Sequence, residues 1–508
     1  MLPYVIGIDI GTGSTKAVAM YNHGGLGATA RRHYTPIQSS IGTDEQDVET
    51  VWHAFVACIA DVVQTMQQQP TLVSLSSCMH SLLAINAAGE PLTPMISWAD
   101  ARSQAVAESL RTWDGAAALY KATGTPLHSM TPLSKIIWFR QHRGDLFSKV
   151  AKWISIKEYI WYRLFGTYEV DVSIAAATGM MEIRTFQWHE PALALAGINR
   201  DQLSVIVPAR HLQKGLQAFA AQQCGLMADV PFCIGSSDGC MANLGSSAMQ
   251  PGVAALTIGT SGAVRVASSK PVLHFDAMLF NYPIDTGTFI CGGPVNNGGN
   301  MVHWALRKMM QQPHPTEKDY ESFYSLVDSV PAGSNGLVCL PYFIGERAPV
   351  WDEKSCGVYL GVKAHHTQAH FLRAALEGVC FALADVLQQV EKSTGVVHQI
   401  NVSGGFIRSQ VWLQMLADIT GKKLSITQTD DASAAGAALL GLEAISLISK
   451  DYALQFEVAE SILPQQNAHA TYRQLFSIYR QLYPSLKNTM LQLYQLQQQD
   501  YVHVAQLR

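Results

Sequence analysis

Short apolar runs rich in β-branched residues open the chain. Val5, Ile6 and Ile8 lead into Asp9, and Ala17 to Met20 resume the run after Gly11 and Gly13. This pattern predicts two strands joined by a tight turn. The period then changes: Val51, Phe55, Ile59, Val62 and Val63 recur at helical spacing, which predicts a helix over Val48–Met66 started near Asp44 to Asp47. Leu72–Ser77 and Leu82–Ile85 predict strands around the polar turn Ser77 to Ser81, with a further turn at Ala88–Pro91. Helices are expected from Pro132, over Ser155–Phe165, Met301–Met310, Thr367–Glu391 and Ser409–Thr420, and strands over Pro231–Ile234, Leu337–Leu340 and Gln399–Val402. Alternation of this kind reads as an α/β chain. The Gln-rich tail from Gln465 to Arg508 reads as a surface helix.

The first turn carries candidate chemistry. It offers backbone N–H groups, the hydroxyls of Thr12, Ser14 and Thr15, and the cation of Lys16, the groups that hold phosphate oxygens. Asp9, at the end of the first strand, is placed to hold Mg²⁺ through water. The stretch is neither Gly-x-x-x-x-Gly-Lys-Ser/Thr nor Gly-x-Gly-x-x-Gly, and by itself an ordinary tight hairpin explains it as well. A second copy, Ala255 to Val266, repeats apolar strand, Ile-Gly-Thr, small polar residues and apolar strand at the start of the second half.

At 508 residues the chain fits two domains, each of roughly 250 residues. The expected division is 1–236 and 237–508. Apolar residues make up 48% and charged residues 15%, enough for large cores and against disorder. A net charge of −4 without a long basic run argues against a nucleic-acid partner. No basic-then-apolar leader and no membrane-length apolar run is visible, so no membrane partner and a cytoplasmic location are expected. Nine cysteines without a Cys-x-x-Cys pair read as reduced thiols and small apolar fillers.

His80, Trp98, Asp100 and Arg102 fall at strand ends and in loops, where α/β proteins hold ligands. Each has a plain alternative: a satisfied half-buried His, a core ring, a local Asp–Arg ion pair. Clustered after two adjacent strands, with Met79, they suggest a polyol pocket. Asp238 follows Gly235-Ser236-Ser237 and heads a helix, where an N-cap is the ordinary use. Ser403-Gly404-Gly405 between a strand and a helix suits close approach by a flat ring or ribose. Asp431 to Ala438 starts a small-residue helix, for which close packing is the favoured explanation.

Two long strings carry a resemblance. Met130-x-Pro132-x-x-Lys135-Ile136-x-Trp138-Phe139-x-Gln141-His142 matches the first signature of the FGGY carbohydrate kinases. Gly357 to Val362, then His370-Phe371-x-x-Ala374-Ala375-Leu376-Glu377, matches the second. The chain thus resembles that family from Val5 to about Leu442, and through it the sugar kinase, actin and heat-shock ATPase superfamily.

The resemblance implies two domains of the actin-like ATPase (ribonuclease H-like) type with an interdomain cleft. It implies ATP and Mg²⁺ as cofactors and phosphoryl transfer to a sugar or sugar acid, with homodimerisation left open. Asp238 becomes the catalytic base. Gly11, Thr12, Gly13, Ser14, Thr15, Lys16, Gly259, Thr260, Ser261, Gly299, Gly404, Gly405 and Ser409 become nucleotide contacts. The family often has Asn near Ser409, so this shorter side chain departs from the pattern. Met79, His80, Trp98, Asp100, Arg102, His128 and Lys135 shape the acceptor site. Met79-His80-Ser81, Trp98 to Ser103 and Thr123 to His128 look like the gluconate kinases of the family. Arg102, His128 and Lys135 are then candidate partners for a carboxylate. A pentulose kinase is the alternative, and a catalytically silent regulator on the same fold is a further one.

Overall fold

The computed structural model describes residues 2–40, 42–427, 431–449 and 458–506. Two compact units are present. One comprises Met1–Gln250, Ala267–Cys291 and Asp431–Gln455; the other comprises Pro251–Val266, Gly292–Asp430 and Phe456–Arg508.

The first unit is built on a six-stranded sheet. Its order is Leu212–Gln213, Phe232–Ser237, Leu72–Ser77, Tyr4–Ile10, Ser14–Tyr21, Leu26–His33. The opening hairpin pairs Asp9 with Lys16 and Ile10 with Thr15. Tyr4–Ile10 also runs parallel to Leu72–Ser77, with Asp9 beside Ser76. Its residues are all buried because both faces are covered. Ile6, Ile8 and Ile10 join a core with Trp52, Phe55 and Ile59 of the helix Val48–Met66, which Asp47 caps by accepting from Thr50 N at 2.8 Å.

The opposite face, at Gly7, meets the helix Ala432–Ala444. A Cβ on Gly7 would lie 2.0 Å from the Ala434 carbonyl oxygen. The same helix touches Asp238–Gly245 backbone to backbone. A Cβ on Gly436 would lie 1.9 Å from the Met241 oxygen, and one on Gly245 1.9 Å from the Ala432 oxygen. Close packing is what the small residues provide.

The second unit repeats the plan. Val253–Ile258 and Gly262–Ser268 form an antiparallel hairpin, and Gln399–Ser403 lies parallel to the first of them. Lys423–Thr427 and Val458–Ile462 extend the sheet. Gln368–Thr394 is a long buried helix. Its Glu377, part of the second signature, accepts from Gly333 N, Arg373 Nε and the Tyr472 hydroxyl at 2.8–2.9 Å.

Tyr472 belongs to the tail helix Gln466–Gln506, which corrects the surface-helix expectation for the part that docks. Tyr472 and Tyr479 are buried, and Phe476 stacks on Phe381 at 5.8 Å. These aromatics fall on one face at i, i+4 and i+7, a stripe that the surrounding Gln residues obscure. Arg508 lies outside the described residues. The helix expected over Met301–Met310 is an α-helix at Gly299–Trp304 followed by a π-turn at Ala305–Met309. Among the described residues no helix is long and apolar enough to cross a membrane.

Gly7→Ala is expected to destabilise the protein by about 3 kcal/mol or more, because backbone rather than a flexible side chain blocks the new methyl. Denaturant titration checks this, and an unchanged midpoint would contradict the close approach.

Candidate active site

The first turn is held from its carbonyl side. The Tyr34 hydroxyl donates to Gly11 O, Gln46 Nε2 to Thr12 O at 2.9 Å, and Tyr34 N to Gly13 O at 3.1 Å. The carbonyls of Gly11, Thr12 and Gly13 are thus engaged, and Gly11 N closes the turn on Ser14 O at 3.0 Å. Thr12 Oγ1 accepts from Trp98 Nε1 at 3.1 Å, which joins the turn to the expected acceptor pocket.

Thr15 needs correction as a phosphate contact. It is fully buried, with its hydroxyl 3.5 Å from that of Tyr34. Strand alternation turns Thr15 inward while Ser14 and Lys16, its neighbours, remain partly accessible.

Lys16 pairs with Asp431 at 2.8 Å, and Arg31 meets the same oxygen at 2.7 Å. Sequence reasoning missed this use of Asp431, because nothing local links it to the first strand. Asp9 accepts from Ser76 Oγ at 2.7 Å. Burial pushes its carboxyl up, opposed by the Ser76 bond and Lys16. Mg²⁺ keeps several waters and takes one or two carboxylates plus substrate phosphates, so the Asp9 carboxylate, with Asp431 near enough to raise its pKa, fits it. Among the described residues no group of three or more metal-ligating side chains is gathered.

Asp238 opens the helix Asp238–Gly245 but does not cap it. Ser237 is the N-cap and accepts from Cys240 N at 3.4 Å. The ordinary explanation for Asp238 is therefore taken by its neighbour. Asp238 accepts from its own following amide, Gly239 N, at 2.7 Å. The Cys78 thiol lies near both acids: burial pushes it up to about 12, and Asp238 and Asp9 add to the shift.

Around the acceptor residues the structure separates scaffolding from exposed chemistry. Lys135 is buried, and its ammonium donates to His80 O, Ser97 O and Met130 O at 3.0, 2.6 and 2.8 Å. All three N–H groups are used, so Lys135 ties three loops together and offers no donor to a substrate carboxylate. That corrects its reading as a substrate cation. Burial lowers its pKa to about 7, with Asp100 opposing.

Asp100 and Arg102 form the ion pair that was the plain alternative. Arg102 Nε meets Asp100 Oδ1 at 2.8 Å, Nη2 meets Oδ2 at 2.7 Å, and Nη2 also reaches Glu45. The guanidinium lies 5.5 Å from the Trp138 ring centroid. His80, at φ 64, has Nδ1 2.7 Å from Ala177 O and Nε2 2.9 Å from the Tyr282 hydroxyl. A carbonyl only accepts, so Nδ1 carries a proton. Tyr282, distant in sequence, was another residue that local patterns could not supply. His128 accepts from Met130 N through Nδ1 at 3.1 Å, which puts the neutral ring's proton on Nε2. Met79 is half-buried.

The second unit gathers its own set. Gly299 N donates to Gly259 O at 2.7 Å, and Gly298 N and Asn300 N donate to Thr260 O at 3.2 and 3.1 Å. Gly259 and Thr260 are exposed at the hairpin tip. Gly404, at φ +103, packs so that a Cβ would lie 2.3 Å from Ile258 O, which sets Gly404 and Gly405 beside that hairpin. Ser409 caps Gln410–Thr420 by accepting from Trp412 N at 3.3 Å.

Models of the FGGY family of carbohydrate kinases match this chain: the N-terminal domain over residues 4–245 and the C-terminal domain over 254–445. The chain belongs to that family and is a sugar kinase, a phosphotransferase, with the family's two-domain actin-like ATPase fold. It is similar to the gluconokinase of Bacillus subtilis (strain 168), 38% identical over 97% of this chain and 98% of that protein. Among solved structures it is similar to gluconate kinase from Lactobacillus acidophilus, with a TM-score of 0.89 at 31% identity over 96% of this chain and 98% of that one. It is also similar to ligand-bound xylulose kinase from the same organism, with a TM-score of 0.90 at 32% identity over 96% of this chain and 99% of that one.

Lys135→Met is expected to take the ammonium from three buried carbonyls, of which Ser97 O keeps only Asp100 N at 3.4 Å, and to cost several kcal/mol, at about 1–3 kcal/mol each. Thermal denaturation measures the loss. The folded fraction should keep the parent's order of preference among sugars; a changed order with unchanged stability would restore Lys135 as a substrate contact.

Proposed function

We propose that this protein transfers the γ-phosphoryl group of ATP to D-gluconate, giving 6-phospho-D-gluconate. The observation that carries the reading is the 38% identity to a gluconokinase across nearly the whole length of both chains. The Met79-His80-Ser81, Trp98 to Ser103 and Thr123 to His128 stretches support it. A reducing, cytoplasmic setting suits the nine free thiols.

The chemistry is mostly positioning and charge neutralisation. Asp238 takes the proton of the attacking hydroxyl. The N–H groups of Thr12 to Ser14 and the cation of Lys16 receive phosphate oxygens, while Gly11 N stays with Ser14 O at 3.0 Å, and Lys16 exchanges some of its pairing with Asp431 for them. In the second unit Gly259 to Ser261 and Gly299 are nucleotide contacts, and Gly404 and Gly405 adenosine contacts, with Ser409 nearby. Asp9 would hold Mg²⁺, and the ion would screen the phosphate charge when bound. Trp98 offers an apolar face to sugar C–H groups, and its bond to Thr12 couples acceptor position to the turn. Met79 and His80 shape the pocket wall. Lys135 is committed to main-chain carbonyls, and Arg102 gives Nε and Nη2 to Asp100 and Glu45, so His128, a donor at Nε2, and the Nη1 group of Arg102 are the donors to test for the carboxylate. Xylulose is the second reading, favoured by the likeness to the xylulose kinase structure.

Asp238→Asn should lower turnover by roughly 10²–10⁴-fold with nucleotide binding near normal. Turnover near that of the parent would move the base elsewhere. Coupled ADP release with gluconate and xylulose at equal concentration decides the acceptor. Gluconate is expected to be faster by at least about 10²-fold, because polar groups built for a carboxylate stay unpaired around a neutral sugar. Faster xylulose turnover would overturn the gluconate assignment.

A further inference from the structure

The most fully buried charged pair near Asp238 has no part in the chemistry above. Lys157, on the helix Ile156–Phe165, and Asp171, at the end of the strand Glu169–Asp171, are 1% and 0% exposed and meet at 2.7 Å. Sequence patterns gave no reason to single out either residue.

Both members reach the two residues that precede Asp238. Lys157 Nζ donates to Ser236 O at 3.1 Å. Asp171 Oδ1 caps Val172–Ala177, accepting from Ser173 N and Ile174 N at 3.0 and 3.2 Å. The Ser173 so placed donates its hydroxyl to Ser237 Oγ at 2.6 Å. Ser237 is the cap of the helix that Asp238 opens. The pair thus holds the Ser236 carbonyl directly and the Ser237 hydroxyl through Ser173.

This segment needs holding. The strand Phe232–Ser237 shifts register against Leu72–Ser77 between Cys233 and Ser236, and Gly235 adopts φ +69. A Cβ at Gly235 would lie 1.6 Å from Leu75 O. Such bulges bend a strand and re-aim the residues beyond them, here the carboxylate of Asp238.

Stability alone does not account for the pair. Burying two charges is costly, and apolar replacement of a buried pair is often neutral or stabilising. What apolar side chains cannot supply is directed hydrogen bonding to Ser236 and to the cap of Val172–Ala177.

We infer that Lys157 and Asp171 are positioning residues for phosphoryl transfer: their buried ion pair fixes Ser236 and Ser237 and so aims Asp238 at the acceptor hydroxyl. This rests on Asp238 being the base.

The test is the full-length double variant Lys157→Met with Asp171→Asn. It removes both charges, keeps a capping oxygen at position 171, and preserves side-chain size. The expected result is a Tm within about 5 °C of the parent, since no lone buried charge is left. KM for MgATP should stay within about threefold, while kcat falls about 10- to 100-fold, the scale of a misplaced reacting group. Adding Asp238→Asn to the double variant should then cost less than it costs the parent, because groups acting as a unit are not additive. A folded double variant with parental kcat, or full additivity with Asp238→Asn, would overturn the inference. If the double variant does not fold, Ser173→Ala decides. It cuts the link to Ser237 together with the 3.3 Å contact to Cys240 Sγ and should lower kcat at least about threefold at unchanged KM; unchanged kcat would overturn the inference. Failure of the base assignment is distinct: Asp238→Asn alone would then retain turnover.

Discussion

The helix Ala432–Ala444 lies so close to two other elements that no side chain fits between them. Gly7 admits it against the first strand, and Gly245 and Gly436 admit it against the helix that Asp238 opens. That contact makes a late stretch of the chain part of the first unit. It also delivers Asp431 to Lys16, and the Ser433 hydroxyl to the carbonyl of Asp238 at 3.2 Å. The phosphate-directed hairpin and the acid proposed as base therefore share one packed neighbour. A methyl group at any of the three glycines would disturb both.

Local signals were legible. Two Ile-Gly-Thr hairpins announced a repeated plan, and both units show a hairpin with a parallel strand beside its first strand. The helix over Val48–Met66 was plain from its period. Burial and partners were less visible. Thr15 looked like a phosphate contact because composition counts hydroxyls, whereas the pleat decides which way they point. Lys135 looked like a cation for a carboxylate because sequence shows charge but not the three carbonyls that consume it. Asp431, Tyr282 and Lys157 act across long sequence separations, which no local pattern encodes.

Hydrogen-bond accounting also sorts the acceptor residues. Asp100, Lys135 and the Nε and Nη2 groups of Arg102 are bonded to Glu45, to one another's loops and to main chain. In the proposed acceptor site they would form a wall whose shape is set by protein partners. Trp98 and His128 are the residues proposed to meet a substrate from that wall, with His80 fixed between Ala177 and Tyr282. A wall made in this way excludes sugars by shape and by unmatched polar groups rather than by one strong attraction.

The reaction itself is tested most directly by the position of the new phosphate. Incubation with ATP, Mg²⁺ and D-gluconate, followed by phosphorus–proton correlation NMR, reads which carbon bears the phosphoester. Phosphoryl transfer to the gluconate terminus predicts a single product whose phosphorus couples to the C6 methylene protons. A phosphoester on another carbon, or no phosphorylated gluconate while xylulose is consumed, would contradict it.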